Sequence, residues 1–159
     1  MHPQNAVLRA GDISFRGVVF PWECDTMGHL NSKNYLGMFD QAAWHVFLAL
    51  GYRSRSAARD GLGLADVSQQ LTFKRELIAG QLVYIRSYVE RVGTKSITMC
   101  HEMHDAETRD CVAVLAVTVA FLDLESRRAR EIPPSIRAAA ESWRKARAVA
   151  PRKIEVQSS

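Results

Sequence analysis

The chain has 159 residues, 47% hydrophobic and 24% charged, which suits one compact domain and excludes wholesale disorder. Its 21 Lys and Arg against 17 Asp and Glu give a net charge of +4, unevenly spread. Residues 127–159 hold nine basic and three acidic side chains, and the first 126 residues hold twelve and fourteen. A nearly neutral body therefore carries a basic end, open to nucleic acid, an anionic membrane or a phosphorylated small molecule. Only Trp143 interleaves aromatic character with that end, which argues against a nucleic-acid platform. The start lacks a basic cluster followed by an apolar run, so no secretory signal is expected. The longest apolar run, residues 111–122, is shorter than the ~20 residues of a membrane-spanning helix. Cys24, Cys100 and Cys111 are odd in number and lack metal-ligand spacing, which favours reduced thiols and a cytoplasmic location.

Residues 13–22 are rich in β-branched and aromatic side chains and read as a strand stopped near Pro21. A polar stretch follows, ending in Asn31 and Ser32, both good helix caps. From Lys33 to Leu50 the spacing is helical, with Tyr35, Met38, Phe39, Ala42, Ala43, Val46 and Leu50 on one face. Leu36, Trp44, Phe47 and Leu48 occupy the other side, and Gly51 supplies the stop. A helix apolar nearly all round is expected to be buried nearly all round. In so small a domain, only a sheet curving about it does that.

Residues 64–73, 83–92, 95–104 and 111–122 read as strands joined by short connections, which favours antiparallel pairing. The last has a large face (Leu115, Val117, Val119, Phe121) and a small one (Val114, Ala116, Thr118, Ala120), so a central place is expected. Pro133 and Pro134 end the sheet, and residues 135–149 read as a further helix, with a loose end from Pro151. The expected class is α+β: a hot-dog fold, one long helix wrapped by a curved antiparallel sheet, with an extra C-terminal helix. Its divisions are an extension (1–12), the hot-dog domain (13–133) and a C-terminal helix with tail (134–159).

Functional groups are densest in residues 22–31, between a strand end and the start of the most buried helix. Backbone N–H groups at such a helix start suit an anion or a developing oxyanion. A nearby carboxylate would then face a polarised electrophile, which is what thioester hydrolysis needs without a metal or cofactor. Asp25 also reads as a turn-forming residue, Gly28 as a positive-φ position, Asn31 and Ser32 as caps, and His29 as a packed histidine. Cys24 would point away from Asp25 if strand geometry continues. His101 and His104 lack the i, i+4 spacing of zinc-binding helices and fall on opposite strand faces, so no metal is expected. Neither a glycine-rich phosphate loop nor a Gly-x-Ser-x-Gly elbow is present.

The run Asp25-Thr26-Met27-Gly28-His29-Leu30-Asn31, then Asn34-Tyr35-Leu36 and Phe39-Asp40-Gln41-Ala42, resembles the hot-dog acyl-CoA thioesterases of the 4-hydroxybenzoyl-CoA thioesterase type. Residues 92–96 and 121–123, followed by Arg127-Arg128 and Ile132-Pro133, resemble later family segments. The chain departs from the pattern at Ser32 (a second Asn), Asp40 (Glu) and Ala43 (Arg). The resemblance implies an acyl-CoA substrate, with Asp25 as nucleophile or general base and Gly28 shaping its loop. It implies N–H groups around Asn31 and Ser32 as carbonyl-polarising donors, with His29 at a motif position, and a homodimer or homotetramer. Lys95, Ser96, Arg127 and Arg128 are candidates for the coenzyme A portion, and Leu36, Phe39, Ala43 and Phe47 for pocket walls. Two other functions remain open: a hot-dog enoyl-CoA hydratase or dehydratase, and a non-catalytic acyl-CoA-binding module.

Overall fold

The computed structural model describes residues 8–149; the expected loose end from Pro151 lies outside them. Five antiparallel strands form one sheet: β1 (Ile13–Val18), β2 (Leu62–Phe73), β3 (Leu82–Val92), β4 (Ser96–Asp105) and β5 (Cys111–Asp123). Their order is β1-β3-β4-β5-β2, which leaves β1 and β2 as the edges. The strand with two apolar faces, β5, is interior as its composition demands, but β4 and not β5 holds the middle. The first strand stops earlier than its composition suggests. Pro21 has no N–H for a ladder, and Pro21–Glu23 turn into one 3-10 turn.

The long helix α1 (Ser32–Leu50) starts behind Asn31, whose Oδ1 accepts the Lys33 N–H at 3.2 Å. It ends at Gly51 (φ 104°), whose N–H donates to the carbonyls of Phe47 and Leu48. Phe39, Ala42 and Val46 are fully buried on its inner face, and Phe47 meets Phe121 of β5 edge-on at 6.3 Å. Burying each large side chain contributes about 1.5–3 kcal/mol. The sheet does not wrap the helix completely, however. Leu36, Trp44 and Leu48 remain exposed on the parts of α1 that its own sheet does not cover.

A short helix, α2 (Ser54–Arg59), was not expected; its polar sequence and missing cap bond give little signal. The C-terminal helix α3 (Pro134–Val149) begins at Pro134, which suits a first turn. It lies along β3, where Arg147 covers the Tyr88 ring and pairs with Glu90 at 2.7 Å. Part of the basic end is therefore occupied in holding a helix to the sheet. Among the described residues no helix is long and apolar enough to cross a membrane.

Beneath α1 the core contains one polar chain. The Ser14 hydroxyl donates to the Ile85 carbonyl at 3.1 Å and lies 2.7 Å from the Ser87 hydroxyl, which lies 2.6 Å from His101 Nδ1. A carbonyl only accepts, so the Ser14 proton is committed to it and Ser87 donates to Ser14. His101 Nδ1–H then donates to Ser87, leaving Nε2 without a partner. Burial lowers the His101 pKa to about 4, so the ring is neutral near pH 7.

Candidate active site

The stretch between β1 and α1 folds back on itself through backbone bonds. Asp25 N–H donates to the His29 carbonyl at 2.8 Å, and Gly28 N–H to the Asp25 carbonyl at 3.0 Å. Gly28 closes the turn at φ 81°, a left-handed conformation that side chains rarely adopt. Asp25 Oδ1 accepts the N–H groups of Met27 (2.8 Å) and His29 (3.2 Å), so the carboxylate shapes its own loop. Oδ2 has no hydrogen-bond partner among the described residues. Asp25 is thus both the turn-former and a candidate reacting group, one oxygen for each.

The start of α1 presents a narrower set of donors than its sequence suggests. Asn31 N–H is committed to the Glu23 carbonyl (2.9 Å), Lys33 N–H to Asn31 Oδ1, and Asn34 N–H to the Asn31 carbonyl (2.9 Å). The Ser32 N–H alone among these keeps no partner among the described residues, at the positive end of the helix dipole. Asn34 Nδ2 donates to the Glu23 carbonyl at 2.7 Å and braces the loop from beneath.

Asp25, His29, Asn31 and Ser32 border one cleft of about 470 Å³ with Tyr35, Phe73, Lys74, Arg75 and Glu76. Tyr35 meets Phe73 edge-on at 5.1 Å, giving the cleft an aromatic wall. Burial raises the Tyr35 pKa, partly offset by a hydrogen bond to the Leu77 backbone, so the phenol stays neutral. The loop is fastened to residues 76–78: Leu30 N–H donates to the Leu77 carbonyl (2.7 Å), His29 pairs with Ile78 as a β-bridge, and His29 Nε2 lies 3.1 Å from Glu76. The Glu76 side chain is 73% exposed, so that last contact orients more than it stabilises.

Sequence reasoning missed the residues 73–76 wall, because Lys74, Arg75 and Glu76 read locally as a polar loop. Only the long-range bridge to His29 and Leu30 makes them part of the site. The structure separates other candidates from it. Phe39 and Phe47 are core residues, and Ala43 and Leu36 do not border the cleft. Lys95 and Ser96 lie at the turn into β4, where the Lys95 carbonyl accepts the Phe121 N–H; Arg127 and Arg128 lie in the turn after β5, where the Arg128 carbonyl accepts the Asp123 N–H. That end of β5 pairs with Leu62, while its other end pairs with Phe73 at the cleft. At about 3.3 Å per residue the two ends are some 30 Å apart. Within one protomer the basic residues at the cleft are Lys74 and Arg75. Cys24 faces elsewhere, its thiol 3.7 Å from the Phe20 carbonyl. Among the described residues no group of three or more His, Cys, Asp or Glu side chains could hold a metal ion.

A long helix laid on a curved five-stranded antiparallel sheet, with the loop before that helix opening into a cleft, defines a hot-dog protein. The chain belongs to the thioesterase-like superfamily, whose family model matches residues 19–140. No curated protein matches it. Among solved structures it is similar to the hypothetical protein SAV2348 from Staphylococcus aureus in complex with CoA, at 15% identity and a TM-score of 0.78, with 87% of each chain covered. It is also similar to Slr0204, a 1,4-dihydroxy-2-naphthoyl-CoA thioesterase from Synechocystis (15% identity, TM-score 0.71, 79% of this chain and 93% of that one). The gentisyl-coenzyme A thioesterase BH1999 aligns at 21% identity and a TM-score of 0.72, covering 81% and 99%. At these identities the likeness is one of fold.

Proposed function

We propose that the protein hydrolyses an acyl-CoA thioester to a carboxylic acid and free coenzyme A in the Asp25 cleft. The observation that carries this reading is the pairing of a carboxylate oxygen, Asp25 Oδ2, with an uncommitted helix N-terminal N–H, Ser32, on one cleft. The thioester carbonyl oxygen takes the Ser32 N–H, and the helix dipole stabilises negative charge as it develops there. Oδ2 then either attacks the carbonyl carbon, expelling the thiolate and leaving an acyl-aspartyl anhydride for water to open, or removes a proton from an attacking water. Both routes consume one water and release one thiol and one acid. Family membership and the CoA complex of a structural neighbour support the substrate class.

A second copy of the chain completes this reading. The edge strand β2 exposes Val67 and Phe73, and α1 exposes Leu36 and Trp44 beside it. Two β2 strands paired antiparallel about a two-fold axis would cover this surface. The same pairing brings the partner's Arg127 and Arg128 toward the Phe73 end of β2, near coenzyme A phosphates. Light scattering is expected to show a dimer or a dimer of dimers, and Val67→Asp to shift it toward monomer.

The reaction is tested by a turnover screen against short, long, branched and aromatic acyl-CoAs, following thiol release. Hydrolysis of at least one class is expected. Tight binding without turnover across the panel would favour a binding module, and water addition to an enoyl-CoA would favour a hydratase.

A further inference from the structure

We propose a second ligand site in the crevice between β1 and the C-terminal half of α1, where it takes a fatty-acid-type carboxylate: one hydrocarbon chain with a single anionic head. The crevice encloses about 890 Å³ and shares no residue with the Asp25 cleft. His45 on its wall is thirteen residues along α1 from Ser32, about 20 Å away at 1.5 Å per residue.

The lining has a consistent chemistry. Arg16 of β1, His45 of α1 and Arg53 beyond α1 border it, and among the described residues no acidic side chain does. Among the described residues neither guanidinium forms an ion pair. Asp12, next in the chain, is turned onto the Arg9 N–H at 2.8 Å. Two planar guanidinium forks at one crevice match a carboxylate. The same crevice has an apolar lining: Ile13 and Phe15 from β1, Leu48 from α1, and Leu8 from the segment before β1. Leu48 is 47% exposed in this lining, a surface that a hydrocarbon chain would cover.

The crevice is also preformed. Ser14 at its base is only 5% exposed, and its hydrogen bonds to Ile85 and Ser87 hold β1 against β3. Helix α1 forms the opposite wall and is anchored by its fully buried inner face. A ligand therefore spends no binding energy on opening the site. A plain hydrocarbon would leave the arginines unanswered, and a short carboxylate such as acetate would leave the apolar wall uncovered.

The test is an amide-resonance titration of the full chain with sodium decanoate, alongside decanol and acetate. Decanoate is expected to shift residues 13–16 and 45–53 saturably, while decanol and acetate bind those positions at least about tenfold more weakly. Arg16→Ala with Arg53→Ala is expected to weaken the crevice shifts by about tenfold or more and to leave any product-like binding at residues 25–32 and 73–76 unchanged. If the double variant does not fold, the exposed Arg53→Ala alone is expected to weaken them several-fold. The proposal is overturned if decanoate leaves the crevice resonances unmoved, if decanol binds them as well, or if the arginine variants bind like the natural chain. A failed turnover screen would not touch it, because the crevice and the cleft are read by different resonances.

Discussion

Replacing Asp25 by Asn is expected to lower turnover about a thousandfold or more while the protein keeps its fold. The side chains are isosteric, and an Asn Oδ1 still accepts the Met27 and His29 N–H groups that hold the loop. What changes is the second oxygen, which becomes an amide nitrogen able neither to attack a carbonyl nor to take a proton from water. Asp25→Ala would confuse the two roles, because it also releases both loop bonds. Steady-state turnover of the best acyl-CoA, read beside the urea midpoint, separates chemistry from folding. Equal turnover in Asp25→Asn would remove this carboxylate from the reaction.

Stability is expected to fall as pH drops from about 6.5 toward 4, and His101 is the reason. Its folded pKa lies at about 4, below the ordinary 6.5 of the unfolded chain. Above 6.5 both states hold a neutral ring, so the group has no pH effect there. Between these values the unfolded chain gains a proton that the core refuses, which favours unfolding. The loss steepens to about 1.4 kcal/mol per pH unit and totals roughly 3 kcal/mol. Urea midpoints of the natural chain and His101→Met at pH 7 and pH 4.5 isolate this contribution from the carboxylates. At pH 7 the variant is expected to be less stable by about 1–3 kcal/mol, since Ser87 loses its donor. Its stability should then fall less on acidification. Parallel losses in the two proteins would mean that His101 takes up a proton within the folded core.

Much of this architecture is legible in local pattern. Apolar spacing from Tyr35 to Leu50 defines α1 to within a residue at its start, because Asn31 and Gly51 are strong, local punctuation. Alternation finds the strands for the same reason. It cannot say that β4 lies between β3 and β5, since order in a sheet is a long-range property. The exposed face of α1 shows a different limit. Leu36, Trp44 and Leu48 are as apolar as core residues, and composition does not distinguish a side chain buried by its own sheet from one left exposed.

The site divides along the same line. Asp25, Gly28, His29, Asn31 and Ser32 fall within eight consecutive positions, and a turn followed by a helix cap forces them together. Lys74, Arg75 and Glu76 join them only through the bridge from His29 to Ile78, forty-nine positions apart in the chain and without any local signature. Arg127 and Arg128 stand out in sequence by charge alone. Charge marks a residue's chemistry without marking its place, and in one protomer they stand at the far end of β5.

The most direct measurement follows the best acyl-CoA in ¹⁸O-labelled water and quantifies free thiol and labelled carboxylic acid together. Catalytic hydrolysis at the Asp25 cleft predicts equal amounts of both, with solvent oxygen in the acid and both signals lost in Asp25→Asn. Substrate that binds the cleft but yields neither thiol nor labelled acid across the whole acyl panel would contradict it.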